Sequence, residues 1–243
     1  MGEHVQEVRV PRVVKGLLNK SVKGIASGRG HVVCVTLRGE VYSWGNGGDG
    51  RLGHGNHEDC FHPRKVEALE DEVVTHVACG VAHTAAVTLH SVTEALPNKV
   101  YCWGRGAHGR LGTGDAHSRN TPVKIHFPPS FKSYTVKACA LGGAHSVLLA
   151  QRDVPETRGN PWGRESQVYS WGFGFNGQLG LGKWEKEVHT PARVFFEKWV
   201  VIESIAAGKC HTLACSQDGD LYAWGKGWYG ALGLGKDKDF RVA

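Results

Sequence analysis

Apolar residues occur along this chain in short runs separated by glycine-rich or polar segments, and no stretch keeps the 3.6-residue spacing of an amphipathic helix. The pattern is clearest near the C-terminal end, where Val200–Ile205, His211–Ser216 and Leu221–Trp224 each have the length and apolar content of a strand. Asp218 and Gly219 separate the last two runs and supply the positive φ that a tight hairpin needs. The sequence therefore predicts an all-β protein made of short antiparallel strands.

The same pattern recurs four times. The segment W-G-x-G-x-x-G-x-L-G-x-G begins at four tryptophans, Trp44, Trp103, Trp171 and Trp224. A G-x-x-H element followed by an apolar run precedes each copy, with the histidines at His31, His83, His145 and His211. A proline follows the first three tryptophans by 19 or 20 residues, at Pro63, Pro122 and Pro191, where we expect it to open a fourth strand. An earlier Pro11 begins Pro-Arg-Val-Val, which resembles the tail of a further copy.

Four short strands per copy, with copies 50 to 70 residues apart, are typical of the blades of a β-propeller. We therefore predict a β-propeller, or an arc of one, with four-stranded antiparallel blades. Residues 1–243 are assigned to a single repeat domain with partial repeats at both ends. An open arc leaves sheet edges and apolar faces uncovered, which favours self-association.

Composition narrows the class of protein. Glycine, with 34 residues in 243, is about twice as frequent as usual, which indicates many tight turns. The seven cysteines are odd in number, lack a C-x-x-C motif and lie mostly in apolar runs, so we interpret them as reduced core residues. Without a signal peptide or a run long enough to span a bilayer, the sequence predicts a cytoplasmic or nuclear protein without a membrane partner. The net charge of +6 is spread along the chain, and nucleic acid is not the expected partner.

Three apparent sites are interpreted as structural. The G-x-G-x-x-G within each repeat lacks the following helix of a dinucleotide site, so we expect turns there. The in-phase histidines lie on separate blades and are too far apart to share a metal ion; we expect each to bond backbone groups near its own turn. The repeat tryptophans should pack between blades. No activated nucleophile or phosphate loop is found, so the sequence predicts neither an enzyme nor a catalytic, cofactor or metal site.

The repeat is interrupted in two places, which are candidates for binding. The spacing from motif histidine to motif tryptophan is 13, 20, 26 and 13 residues, so insertions lie near His90 to Lys99 and in Gln151 to Gln167. The longer insertion is polar and combines arginine with tryptophan, a composition enriched at interface hot spots. We predict it to be a surface loop, with four candidate partner contacts: Arg152, Arg158, Trp162 and Arg164. Three other tryptophans outside the repeat register are also expected to be exposed, namely Trp184, Trp199 and Trp228.

These motifs resemble the repeat of the regulator of chromosome condensation family over nearly the whole chain. The resemblance implies the blades of a seven-bladed propeller, of which about four are present here. Members of that family include exchange factors for a small GTPase, ubiquitin-ligase scaffold domains and a plant ultraviolet-B photoreceptor. The photoreceptor's Gly-Trp-Arg-His-Thr segment has no counterpart here, since none of the G-x-x-H elements contains tryptophan. We therefore expect a protein-binding scaffold or regulatory module, with guanine nucleotide exchange on a small GTPase as the alternative.

Overall fold

The computed structural model of the chain describes residues 9–89 and 98–235, which form three four-stranded antiparallel sheets and one three-stranded sheet. The strands of the first two sheets are β1 (Val22–Ser27), β2 (His31–Thr36), β3 (Val41–Gly45), β4 (Cys60–Lys65), β5 (Val74–Cys79), β6 (His83–Thr88), β7 (Val100–Gly104) and β8 (Arg119–Lys124). Those of the last two are β9 (Thr135–Leu141), β10 (His145–Asp153), β11 (Arg164–Phe173), β12 (Glu187–Val194), β13 (Ile202–Ala207), β14 (His211–Ser216) and β15 (Leu221–Gly225). Short 3-10 turns lie at Lys15–Leu17, Gly48–Gly50, Glu67–Leu69, Ala107–Gly109, Pro129–Ser133 and Trp228–Gly230.

Each sheet is one repeat and forms one blade of a propeller, as the sequence predicts. The first strands of successive blades contact one another, β1 with β5, β5 with β9 and β9 with β13, so they line the propeller axis. The described part of the fourth copy contains three strands rather than four. The assignment of all 243 residues to one domain stays a prediction. Within the described residues, no helix is long and apolar enough to cross a membrane.

The apolar core consists of three layers, each between two neighbouring blades. Val33, Leu69 and Trp103 belong to the first layer, which joins blades 1 and 2. The second layer contains Leu111, Phe131 and Trp171, and the third contains Leu149, Ile202 and Trp224. A blade cannot bury its faces alone, so each layer depends on both blades that form it.

The repeat tryptophans pack between blades, which confirms their predicted role. The indole Nε1 of Trp103 donates to the carbonyl oxygen of Arg51 at 3.0 Å, and Trp171 and Trp224 donate in the same way to Arg110 and Gln178 of the blade before. All three rings are at most 1% exposed, whereas Trp44, on the first blade, is only half-buried. The glycine-rich segments of blades 1, 2 and 3 therefore each accept the tryptophan of the next blade.

The motif histidines join neighbouring blades too, and here the sequence-based expectation is wrong. The Nε2 atoms of three of the four do not bond their own turns; they contact a hydroxyl on the next blade. His31 contacts Thr84 at 3.1 Å, His83 contacts Ser146 at 3.0 Å, and His145 contacts Thr212 at 3.0 Å. No cluster of three metal-ligating side chains is found in the described parts of the chain. These residues therefore hold the scaffold together.

The same hydroxyls fix the protonation of the imidazoles. The Ser146 hydroxyl donates its single proton to the Arg110 carbonyl oxygen at 2.7 Å, so it can only accept from Nε2 of His83. His83 therefore carries a proton on Nε2. Its Nδ1 is buried and finds no partner among the described residues, and a proton there would leave an unpaired buried charge, so the neutral Nε2–H tautomer is favoured. Burial agrees with this, since it lowers the pKa of His31 and His145 to about 4 and that of His83 well below its ordinary range.

The repeat glycines serve as turns, as predicted. Gly172, directly after Trp171, has a φ of +106°, and a Cβ there would lie 2.8 Å from the Cα of His145 and against the Ala144 carbonyl oxygen. A single 3-10 turn then follows in the equivalent segment at Gly48–Gly50, with no α-helix to hold a dinucleotide. The glycines are thus required by close backbone approach.

The motif prolines lie inside the fourth strands and do not open them. Pro63 falls within β4 at a break in the ladder, where pairing moves from Ser43 with Arg64 to Gly45 with Cys60. Pro122 and Pro191 occupy the same place in β8 and β12. A proline that cannot donate to the ladder is tolerated at such an irregularity of an edge strand. The segment beginning at Pro11 forms no strand among the described residues and leads into the turn at Lys15–Leu17.

Candidate functional site

The longer insertion is mostly an extension of the blade, which corrects its interpretation as a surface loop. β10 and β11 continue beyond the usual blade length and pair from His145 with Gly172 to Asp153 with Arg164. Only residues 154–163 form the tip. Gln151 and Gln167, the expected ends of the loop, are buried. We call residues 151–167 the insertion hairpin.

The base of the insertion hairpin is bonded to the fourth blade. Nε2 of Gln151 donates to the carbonyl oxygen of Ile202 at 2.7 Å, and the Ser166 hydroxyl accepts from the backbone N–H of Ile202 at 2.8 Å. These two bonds cross between blades 3 and 4. The hairpin is therefore held in a fixed direction by both blades.

The structure divides the four predicted contact residues into two pairs. Arg152 and Arg164 are half-buried at the hairpin base, whereas Arg158 and Trp162 are exposed at its tip. Arg152 donates to Glu165 Oε2 from both Nε and Nη2, at 2.9 and 2.6 Å, and its guanidinium lies over the Tyr134 ring. Those bonds lower the pKa of Glu165 and raise that of Arg152. Arg152 thus supports the hairpin, and Arg158 and Trp162 are left free to meet a partner.

A cleft of about 220 Å³ opens beside the hairpin, between its tip and the segment that joins β12 to β13. Asn160, Arg164, Arg193 and Trp199 are among the residues that line it. Asn160 is 6% exposed; its Nδ2 donates to the Arg164 carbonyl oxygen at 2.8 Å, while its Oδ1 finds no partner among the described residues. We call this the hairpin cleft.

Trp199, at the hairpin cleft, has an unusual backbone conformation. Its φ of +75° is in the left-handed region, which costs a large aromatic residue about 1–3 kcal/mol. The ring is 56% exposed, Lys198 Nζ lies 4.8 Å from its centroid, and the place of a Cβ on Gly159 is 3.1 Å from its Cε2. The backbone therefore holds an exposed indole against the hairpin tip.

Sequence reasoning predicted some of this site and missed the rest. Trp162, Trp184, Trp199 and Trp228 are all exposed, as their position outside the repeat register predicts. That Trp199 lies beside the insertion hairpin could not be predicted, because 36 residues or more separate it in sequence from the hairpin tip and no motif links them. Of the shorter insertion near His90 to Lys99, residues 90–97 lie outside the described residues. Asn98 is buried and bonds Thr88 and Val136.

Comparison with protein families identifies the repeat. The model of the regulator of chromosome condensation (RCC1) repeat matches residues 38–87, 98–149 and 165–215, which is more than half of the chain. A second model of the same repeat matches residues 22–51 and 202–234. The matched segments cover all four blades.

Two curated relatives share this repeat. The ultraviolet-B receptor UVR8 of Arabidopsis thaliana is 37% identical over 215 residues, which are 88% of this chain and 44% of the receptor. The E3 ubiquitin-protein ligase HERC2 of Homo sapiens is 33% identical over 225 residues, which are 93% of this chain and 4% of the ligase. This chain thus spans less than half of either relative.

Solved structures agree on the fold. Human WBSCR16 superposes with a TM-score of 0.71 at 25% identity, covering 91% of this chain and 52% of that one. Yeast RCC1 (Prp20), solved with Kap60, superposes with a TM-score of 0.72 at 24% identity, covering 91% of this chain and 47% of that one. The second likeness shows the fold alone, and nucleotide exchange by this chain stays a prediction. By its repeat motif and its blades, the chain belongs to the regulator of chromosome condensation (RCC1) repeat family.

Proposed function

We propose that this chain is a non-catalytic protein-binding module of the cytoplasm or nucleus and that it binds its partner at the hairpin cleft. The observation that carries the proposal is a set of exposed side chains around the insertion hairpin: Arg158 and Trp162 on its tip, and Trp199 in the hairpin cleft against Gly159 of the tip. Tryptophan and arginine are the residues most enriched at interface hot spots. All seven cysteines are unpaired, which agrees with a reducing compartment.

The stiffness of the site supports binding. The ladder of β10 and β11 and the bonds of Gln151 and Ser166 to Ile202 fix the hairpin before any partner arrives. A preorganised surface loses less conformational entropy on binding. The carboxylate of Glu165 is engaged by Arg152 and by the Tyr134 hydroxyl at 2.9 Å, which suits a structural role better than proton transfer.

The test is affinity capture with matched variants. A double variant, Arg158→Ser with Trp162→Ser, removes the exposed side chains of the tip. The control, Lys124→Ser with Leu37→Ser, removes a similar exposed pair elsewhere. We expect a protein captured by the parent chain and the control to be lost from the tip variant. Equal capture by all three proteins contradicts this site.

The rate of release of fluorescent GDP from purified small GTPases distinguishes the exchange-factor alternative from the scaffold proposal. If this chain accelerates GDP release from one of the GTPases, exchange-factor activity replaces the scaffold proposal. An unchanged rate, from a sample that melts cooperatively, leaves the scaffold proposal in place.

Self-association is a second partner proposal and rests on blade 4. A Cβ on Gly180 would lie 2.7 Å from Nε1 of Trp224, whereas one on Gly233, its equivalent in blade 4, meets no described atom within 4 Å. No described residue therefore fills the position that a following tryptophan would occupy. A mass that rises with concentration in sedimentation equilibrium, and that stays at the monomer value in Gly233→Trp, is the expected result.

A further inference from the structure

One face of the propeller carries a concentration of positive charge around the axis. Three repeat positions fall on this face: the first variable residue of G-x-x-H, the residue after Trp-Gly, and the residue before the repeat leucine. Six of these twelve residues are basic and none is acidic. The six, which we call the axial basic cluster, are Arg29, Arg51, Arg105, Arg110, Lys209 and Lys226.

Backbone contacts make the cluster continuous from blade to blade. Within blade 1, Nη1 of Arg51 donates to the carbonyl oxygen of Arg29 at 3.2 Å, and the Arg29 N–H donates to the Val81 carbonyl oxygen of blade 2 at 3.3 Å. Nη1 of Arg110 donates to the Gly143 carbonyl oxygen at 2.9 Å, and the Gly143 N–H donates to that of Lys209 at 3.1 Å. Arg51 and Arg110 are also held from within their own turns, by Gly48 and Ala107. The Arg110 guanidinium is thus held by carbonyl oxygens, which leave its charge in place, whereas Arg51 is also paired with Asp49.

Arg110 shows that this charge lacks a counterion. It is only 5% exposed, and no acidic side chain forms an ion pair with it among residues 9–89 and 98–235. Burial and then the neighbouring Arg105 lower its pKa to about 10. The negative charge of Asp49 raises the pKa of Arg110, but Asp49 is already bonded to Arg51 at 3.0 Å. A buried cation normally has a paired anion, so the site attracts one.

The rim of the same face is mixed in charge, and acidic side chains lie there beside basic ones such as Arg119 and Lys183. Asp59 accepts from the Gly47 N–H at 2.8 Å, Asp115 accepts from Arg119 at 2.6 Å, and Glu187 is bonded to His108 at 2.8 Å. Each lies just before or at the start of a fourth strand, outside the basic centre. Among the described residues, Asp59 and Glu187 form no ion pair with lysine or arginine, so a long polyanion lying across this face would meet their carboxylates, whereas a short acidic segment at the axis would not.

We propose that the axial basic cluster binds the carboxylates of an acidic protein segment at the propeller axis. Arginine forks, already fixed by carbonyl bonds, suit carboxylate oxygens. The rim carboxylates of Asp59 and Glu187 favour a short acidic segment over nucleic acid. The cluster lies at the His145–Gly172 end of the β10–β11 ladder, and the insertion hairpin is at the other end. The two sites are therefore on opposite faces, and one can fail in experiment without the other.

The test measures binding of a fluorescent short glutamate peptide by the full chain at low and moderate salt. The variant Arg105→Glu with Lys209→Glu reverses two exposed charges of the cluster. The control, Lys124→Glu with Lys132→Glu, makes the same charge change at exposed positions outside it. We expect the cluster variant to weaken binding by at least about tenfold and the control by less than about twofold. All four substituted residues are exposed, and thermal melts verify that both variants fold.

Three outcomes overturn the proposal. The first is a peptide that the parent chain does not bind. The second is equal weakening by the cluster variant and the control, which shows attraction by net charge only. The third is an oligothymidylate of equal charge that binds more tightly than the peptide, which assigns the face to nucleic acid. Arg110→Gln provides a second variant within the cluster, used if its melt stays cooperative.

Discussion

The Nε2 atom of His83 lies 3.0 Å from the Oγ of Ser146, on the next blade, and that hydroxyl in turn donates to the carbonyl oxygen of Arg110. The same chain of imidazole, hydroxyl and carbonyl crosses the other two interfaces through Thr84 and Thr212. Each hydroxyl follows the motif histidine of its own blade. In the first blade this position is Val32, which has no hydroxyl to offer. The bond chain is therefore a property of three interfaces.

Ser146→Ala should destabilise the chain by about 1–3 kcal/mol, because it leaves the buried Nε2–H of His83 without an acceptor. Ser146→Thr restores the hydroxyl found at Thr84 and Thr212 and should recover most of the loss. Urea unfolding followed by tryptophan fluorescence measures both. Equal stability of Ser146→Ala and the parent chain contradicts the proposed bond chain.

Stability should fall as the pH is lowered. Burial holds the folded-state pKa of His31 and His145 at about 4, and that of His83 well below its ordinary value of 6.5. Between about pH 6.5 and 4 the unfolded chain binds protons that the folded chain does not. The full stability is present above that window. Within it, three histidines lower the unfolding free energy by up to about 4 kcal/mol per pH unit.

Urea titrations at several pH values check this slope. His83→Gln keeps a side-chain N–H donor but cannot titrate, so it should reduce the slope by about one proton. His54 and His76, whose pKa values burial also lowers, act in the same direction and leave that difference unchanged. A slope that is the same in parent and variant contradicts a neutral, buried His83.

Gly172→Ala and Gly182→Ala form a matched pair for the glycine turns. Both positions have a positive φ, +106° and +70°, so both variants carry backbone strain of about 1 kcal/mol. Only at Gly172 would the new Cβ also meet the Ala144 carbonyl oxygen and the His145 Cα. Gly172→Ala should therefore be much less stable in thermal melts. Equal destabilisation would show that strain alone explains the glycine.

The insertion hairpin can be divided by deletion. Replacing residues 155–162 with Asn-Gly removes the tip and supplies a turn that suits a two-residue hairpin, so the melt should change little. Deleting residues 154–166 also removes Glu165 and Ser166, which bond Arg152 and Ile202, and should lower stability by about 2–4 kcal/mol. Identical melts for the two deletions would mean that the hairpin base does not support blade 4.

The repeat made the blades predictable, because the tryptophan and glycine positions recur in phase along the chain. The histidine partners were missed because Ser146 is 63 residues from His83 in sequence. The sequence does show a hydroxyl residue directly after His83, His145 and His211. That each hydroxyl contacts the histidine of the preceding blade becomes clear only when the blades are placed side by side. The polar residues of the insertion predict a loop. The pairing of Gln151 with Ser166 shows instead that polar residues can extend a strand ladder when the next blade covers its base.

The central claim, that a protein partner binds at the hairpin cleft, is tested most directly by a photo-crosslinking amino acid at Trp162. The matched control places the same amino acid at Leu37, which is 69% exposed on the β2–β3 turn of blade 1. We predict a single crosslinked partner from position 162, absent from position 37 and lost when excess unlabelled parent chain competes. The same crosslinks from both positions, or none from position 162, would contradict binding at this site.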